Sequence, residues 1–315
     1  MADLGDRLGA DSWSIPGEEH AKGIRKTLLH GLMQDVERIA GIKVATPVEN
    51  KLQRIFAKVD VGTLDQWVRH LRSSPSDNPD WLSLIESLTV HETYFYRDMP
   101  QLDLVRNVVL SRLISQAIER DTKTLRIWSA ACSTGEEAYT LAILAFQAME
   151  AAGVAYEEAG QAFKLAPGWS LKVTGTDISR LVLRQAEGAV YETGPMSSFR
   201  DMPDATMRFF PKYRLAPGSL RVREDIRKVV KFTPYNLLSP VAMSGIYDLI
   251  ACRNVLIYMA KSARHAILES LTGVLRDDGG LILGPTDQLH LGVVKRFSPP
   301  LDGASPVFFK SGATT

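Results

Sequence analysis

Apolar residues in the first part of the chain recur at intervals of three and four: Leu28, Leu29, Leu32, Val36 and Ile39, then Leu52, Ile55, Phe56 and Val59, then Leu64, Trp67, Val68 and Leu71. A stripe repeating once per 3.6 residues makes one face of a helix apolar, so this spacing predicts three or four short amphipathic helices between residues 22 and 72. Gly41, Pro47 and Gly62 punctuate them. The run SSPSDNPD at 73–80 is a loop rich in turn formers, and a further helix is expected over 81–88.

The pattern changes near residue 90. Runs rich in Val, Ile and Leu follow at 125–131, 171–178, 229–233, 248–255 and 280–284, most of them separated by helical patterns. Short continuous apolar runs suit strands buried on both faces. Strands alternating with helices predict an α/β domain, a doubly wound and mostly parallel sheet with right-handed crossovers. Two stretches break the alternation. Residues 208–230 alternate apolar and polar around Pro217 and Gly218, which predicts a β-hairpin beside the sheet. Residues 151–167 are long for a helix-to-strand connection.

Composition narrows the class. The 315 residues are 45% hydrophobic and 23% charged, as in a soluble globular protein of one or two domains. A formal net charge of +1 gives no global attraction for nucleic acid or an anionic membrane, and neither is expected as a partner. Cys132 and Cys252 each end an apolar run, which suits buried reduced thiols and a cytoplasmic location. Asp3, Asp6, Asp11, Glu18 and Glu19 crowd the first twenty residues, without the apolar core of a signal peptide. No stretch reaches the roughly 18 uninterrupted apolar residues of a membrane helix, so no membrane insertion is expected. The six histidines lack metal-ligand spacing, and no metal is expected.

Ligands of doubly wound sheets bind beyond the carboxyl ends of the strands, so polar residues just after each predicted strand are the candidates. In IWSAACSTGEEAY, residues 127–139, a strand breaks and a helix restarts with Glu136 and Glu137 in its first turn. A phosphate site would place bare backbone N–H groups there, and carboxylates would repel it. A neutral or cationic ligand fits, and the sulfonium and amino groups of S-adenosylmethionine meet that description. Helix-end charge is the alternative for both glutamates. A nicotinamide dehydrogenase is disfavoured. The turn has only Gly135, and Asp177 lies 177 − 135 = 42 residues further on, against roughly 20 in the dinucleotide fingerprint. Asp177 closes VTGTD, where it can accept from ribose hydroxyls or cap a helix at 179–187. In HETYFYRD, residues 91–98, Arg97 can clamp a carboxylate and Thr93 can hydrogen-bond a ligand. Otherwise the segment is a hinge with core aromatics and an Arg97–Asp98 pair. In CRNVLIY, residues 252–258, Arg253 and Asn254 need partners to be buried. Tyr258 either faces the same crevice or is a core tyrosine.

HETYFYRD, RIWSAACSTGEEAY, VTGTDIS with AEGAVY, NLL at 236–238 and DLIACRNVLIY, in that order across residues 25–290, resemble the CheR-type chemoreceptor methyltransferases. The resemblance implies a Rossmann-like class I methyltransferase sheet with a small inserted β-subdomain at 208–230. It divides the chain into an N-terminal extension at 1–20, an all-α domain at 21–89 and a methyltransferase domain at 90–315. It implies transfer of a methyl group from S-adenosylmethionine to glutamate side chains on the cytoplasmic helical region of chemoreceptors, with S-adenosylhomocysteine as product, in sensory adaptation. His91, Thr93, Arg97, Glu136, Asp177, Asn236, Leu237, Arg253 and Asn254 fall on its cofactor-contact positions. Arg97 and Tyr258 fall where side chains approach the transferable methyl. In some members the β-subdomain docks a short C-terminal peptide of the receptor, and a monomer is expected. Three departures stand out: His91 in place of the usual asparagine, GPTDQ in place of G-H-S-E after the last core strand, and the longer insert at 151–167.

An acceptor glutamate, with a reference pKa near 4.3, is already ionised at neutral pH and needs no general base, so positioning dominates the expected mechanism. Between residues 20 and 72, Lys22, Arg25, Lys26, Arg38, Lys43, Lys51, Arg54, Lys58, Arg69 and Arg72 outnumber Asp35, Glu37, Glu49, Asp60 and Asp65. This bias is either a solvated face or a docking surface for an acidic helical receptor. Two other classes compete: a non-catalytic S-adenosylmethionine-binding signalling module, and a small-molecule methyltransferase with a closed pocket.

Overall fold

The computed structural model describes residues 18–312 except 44, 159–161, 240–245, 288, 290 and 304. Two compact units emerge. One gathers the described residues up to Val90 together with Tyr258–Arg264, and the other holds His91–Ile257 and the remainder from His265.

The first unit is built on helices Glu18–Ala40, Thr46–Ile55, Val61–Ser73 and Pro79–Leu88. Their apolar stripes form its core, with Leu32, Val36, Leu52, Phe56, Leu64, Leu71, Trp81 and Leu84 buried. The first helix, of 23 residues, is not short, because its stripe runs unbroken to Ala40 and Gly41 ends it at a left-handed φ of 71°. Asp60 accepts from Thr63 N at the start of the third helix, and Asn78 from Asp80 N at the fourth. The indole N–H of Trp81 donates to Leu71 O at 2.7 Å. The segment after Ile257 joins this unit through a bridge between Ile42 and Met259 and through Lys43 N donating to Tyr258 O at 2.8 Å.

The second unit carries β1 (Thr124–Ala130), β2 (Ala155–Glu158), β3 (Ala162–Leu165), β4 (Ser170–Asp177), β5 (Val190–Glu192), β6 (Ser219–Arg221), β7 (Val230–Pro234), β8 (Tyr247–Cys252), β9 (Leu275–Leu283) and β10 (Val307–Phe309). Six form one sheet in the order β10-β9-β8-β1-β4-β7, parallel except for β10. The chain steps from β1 outward through β4 to β7, then returns to β8 on the other side of β1. That reversal puts a switch point between β1 and β8, where the carboxyl ends leave a crevice. The helix Glu136–Ala151 is buried along most of its surface, from Ala138 and Tyr139 to Ala148 and Met149. This is the fold expected from the alternation of runs.

The insert at 151–167 folds as the β2–β3 hairpin. Glu157 on it accepts from Arg223 at 2.7 Å and Arg208 at 2.9 Å, and Phe163 N donates to Asp225 at 2.7 Å. The hairpin expected at 208–230 forms over the centre of that stretch and not at its ends. Tyr213 N donates to Ser219 O at 2.9 Å and Arg221 N to Pro211 O at 3.0 Å about the antiparallel Lys212–Leu220 bridge, so the chain does turn back on itself around Pro217 and Gly218, while β6 pairs in addition with β5, upstream of that stretch. Residues read as the returning arm form the helical turn Glu224–Val229. Glu224 and Asp225 at its start and Arg227 and Lys228 at its end complement the helix dipole, and alternation over so few residues does not separate strand from helix. Among the described residues no helix is long and apolar enough to cross a membrane.

Candidate functional site

The turn after β1 winds through left-handed backbone at Ala131 (φ 62°), Ser133 (φ 50°) and Gly135 (φ 95°). Only Gly135 takes that geometry without strain, and a Cβ there would lie 2.8 Å from the Cβ of Ala186. Tertiary bonds hold the other two. Cys132 N donates to Thr176 O at 2.8 Å, and Ser133 N donates to Asp177 Oδ2 at 2.9 Å. The Ser133 hydroxyl donates to His91 O at 3.2 Å. The other Asp177 oxygen accepts from Ser179 N at 3.0 Å, while Ser179, not Asp177, caps the next helix through Val182 N. Asp177 therefore joins the ends of β1 and β4.

Glu136 is only 1% exposed. Thr134 Oγ1 donates to its Oε2 at 2.6 Å, and Ser198 Oγ donates to its Oε1 at 2.7 Å. Tyr191 fastens the same turn by donating to Thr134 O at 2.7 Å. Burial pushes the Glu136 carboxyl above its ordinary range, against the pull of the two hydroxyls and of Arg200. Burial also raises Asp177, opposed by the N–H groups of Ser179 and Ser133 and by His91. Two desolvated carboxylates thus flank the first turn.

The opposite side is organised by Arg253, whose side chain is 3% exposed. Its Nε donates to Gln101 Oε1 at 2.7 Å, Nη1 to Glu137 Oε2 at 3.2 Å and Nη2 to Arg97 O at 2.7 Å. Glu137 also accepts from Ser129 Oγ at 2.7 Å, so it is a counterion of the buried guanidinium rather than mere helix-end charge. Gln101 Nε2 donates to Leu283 O at 2.9 Å and brings in the end of β9. Asn254, at φ 58°, donates its N–H to Asp287 Oδ2 at 3.0 Å, and Gly284 N donates to the same oxygen at 3.1 Å. A Cβ on Gly284 would meet Asn254 N at 2.6 Å. Asp287 in the divergent GPTDQ thus ties β8 to β9.

HETYFYRD divides its work. Phe95 is core, packed on Tyr191, Phe199 and Phe210 at ring distances of 4.8, 5.2 and 4.6 Å, and Tyr96 is buried. Arg200 lies 4.0 Å above the Tyr94 ring and Arg97 5.6 Å from it. Arg97 donates to Glu92 O at 3.0 Å, and Asp98 lies 3.8 Å from the buried guanidinium of Arg253. His91, Thr93, Asn236 and Leu237 are half-buried. Tyr235 N donates to Asp177 O at 2.9 Å, and Asn236 Oδ1 accepts from Leu238 N at 3.0 Å, which sets the loop after β7. Bonds therefore link His91, Glu136 and Asp177 through one turn and Arg97 to Arg253 directly, whereas Tyr258 belongs to the first unit. Gln101, Ser129, Ser198 and Arg200 were not picked out in the sequence, since none lies just after a strand.

Desolvated carboxylates with hydroxyls and amides suit a ligand that brings cationic and hydroxyl groups better than one that brings phosphate. S-adenosylmethionine, with its amine, sulfonium and ribose diol, fits that donor set.

The family model described as CheR methyltransferase, SAM binding domain, matches residues 91–300. A chemotaxis protein methyltransferase of Borreliella burgdorferi is 27% identical over 251 residues, covering 77% of this chain and 80% of that protein. Chemotaxis protein methyltransferase 1 of Pseudomonas aeruginosa is 29% identical over 243 residues, covering 77% and 82%.

Proposed function

The chain belongs to the CheR methyltransferase family, and from that premise we propose that it methylates glutamate side-chain carboxylates on the cytoplasmic helices of chemoreceptors. It is an S-adenosylmethionine-dependent methyltransferase of chemotaxis. The observation that supports the reading most is the pair of buried carboxylates, Glu136 and Asp177, at the ends of β1 and β4.

Bound S-adenosylmethionine supplies a methyl group on a positively charged sulfur, open to attack by a carboxylate. Asp177 is proposed to accept from the ribose hydroxyls while it holds Ser133 and Ser179. Glu136 faces the cationic part of the cofactor. A carboxylate kept from water interacts strongly with such a cation, and ionisation that is costly in its absence becomes favourable in its presence. His91, Thr93, Asn236, Leu237 and Asn254 complete the pocket. Arg253 takes part through its backbone, because its guanidinium is engaged by Gln101, Glu137 and Arg97. Its role is to hold Arg97, proposed with Tyr258 to orient the acceptor carboxylate.

The basic bias of the first unit is proposed to meet the acidic receptor helices, and the β5–β6 region to accept a receptor peptide. A cytoplasmic monomer is the form proposed to act. Incubation with methyl-labelled S-adenosylmethionine and receptor-containing membranes tests the function. Base-labile label on the receptor is expected for a carboxyl methyl ester. Label on small metabolites alone, or binding without transfer, refutes the proposal.

A further inference from the structure

We propose that Arg200 is a second carboxylate-binding cation for the acceptor glutamate, and that Glu92 occupies it until substrate displaces it. The inference rests on the methyltransferase reading above. Arg200 lies outside every motif that carries the family resemblance.

Its guanidinium is fixed in place. It stacks 4.0 Å over Tyr94, and its side chain is 17% exposed. The base beneath it is rigid: Ser198 O accepts from Phe95 N at 2.9 Å, and the Phe199 ring stacks on Phe95 at 5.2 Å. Ser198 also donates to Glu136, and the positive charge of Arg200 acts on that carboxylate, so Arg200 borders the proposed cofactor wall. Guanidinium groups held by packing and second contacts bind carboxylates with little loss of freedom.

Its partner is loosely held. Glu92 has a side chain 67% exposed and meets Arg200 through a single 2.9 Å contact between Oε1 and Nη2. The other terminal nitrogen, Nη1, donates to Met196 O at 3.5 Å. An exposed one-point ion pair is worth little, whereas a two-point carboxylate–guanidinium pair is among the stronger polar contacts. An incoming glutamate that engages both nitrogens therefore displaces Glu92 at small cost. Glu92 also presents its backbone oxygen to Arg97 at 3.0 Å, so one residue aligns both arginines beside the same tyrosine. Glu92 thus marks where a glutamate carboxylate belongs.

A loop brace between Glu92 and Arg200 would make the two side chains act alike, while a substrate site with an internal occupant makes them act oppositely. The test is steady-state receptor methylation by the full-length protein, with S-adenosylmethionine affinity measured by calorimetry. Glu92→Gln is expected to lower KM for the receptor about two- to fivefold, the strength of an exposed ion pair. Arg200→Met is expected to raise it about tenfold or more, carried by KM rather than kcat, with Arg200→Lys intermediate. Receptor methylation by wild type together with a raised KM in both Glu92→Gln and Arg200→Met, or an unchanged KM in Arg200→Met, overturns this inference alone. No receptor methylation by wild type overturns the functional reading and this inference with it.

Discussion

Replacing Arg253 with methionine removes the only guanidinium that the structure places between β8, the helix Glu136–Ala151 and the HETYFYRD segment among the described residues. Methionine keeps most of the side-chain volume, so the loss is polar. Three bonds go, at 2.7, 3.2 and 2.7 Å, and Gln101 Oε1, Glu137 Oε2 and Arg97 O are left in a site that water hardly reaches. Removing one partner of a buried ion pair costs about 3–5 kcal/mol, because the other charge stays desolvated. At about 2–4 °C per kcal/mol for a unit of this size, the melting temperature should fall by about 6–20 °C. The mechanism is tested by a double-mutant cycle with Glu137→Gln, read by urea denaturation and calorimetry. Arg253→Met leaves Glu137 without its cation, Glu137→Gln leaves Arg253 with only the 3.8 Å contact to Asp98, and the double variant buries neither charge. Their costs should therefore fall short of additivity by about 1.5–3 kcal/mol. A coupling below about 0.5 kcal/mol would refute the pairing as the source of the cost.

Three further predictions follow from the same geometry. Arg97→Ala and Tyr258→Phe should each lower methyl transfer about tenfold or more with calorimetric S-adenosylmethionine affinity close to wild type, since orientation rather than cofactor binding is lost; near wild-type turnover in both refutes the assignment. Burial raises Glu136 above 4.5, so the folded protein holds this proton more readily than the unfolded chain does. The ionisation penalty is full above the folded value and vanishes below 4.5, so Glu136→Gln should be at least as stable as wild type near neutral pH, with an advantage that shrinks as pH falls toward 4.5, while cofactor affinity drops; urea midpoints across that range and titration calorimetry check both signs. Gly284→Ala places a Cβ 2.6 Å from Asn254 N and 2.8 Å from Asp287 Oδ2, and should cost about 1–3 kcal/mol along with cofactor affinity; unchanged thermal stability would show that the β8–β9 crossing yields easily.

The layered core was legible because burial imposes periodicity. Helix stripes in the first unit and apolar runs at β1, β4, β8 and β9 each declare which faces avoid water. The hairpin around Pro217 and Gly218 was legible from its turn residues, whereas its limits were not. A few alternating residues do not separate a strand from a helical turn, and Glu224–Val229 took the helical form. Insert 151–167 was visible as an interruption, yet its shape depends on Glu157 and Asp225 meeting Arg223, contacts separated by 66 and 2 residues.

Sequence order alone determined the class of the protein: the succession of motifs, an acidic first turn in place of a glycine-rich one, and Asp177 closing its strand. These are local signals, since a strand end and the residue after it are neighbours along the chain. Tertiary structure decided which charge serves which partner. Glu136 and Glu137 are adjacent in sequence and alike in chemistry, but successive helix positions face different directions. One therefore meets Thr134 and Ser198 and is proposed to wait for a cationic ligand, while the other meets Arg253, far along the chain, and is neutralised by it. No rule of spacing along the sequence separates them, because the distinction is made by groups that only folding brings within hydrogen-bonding distance.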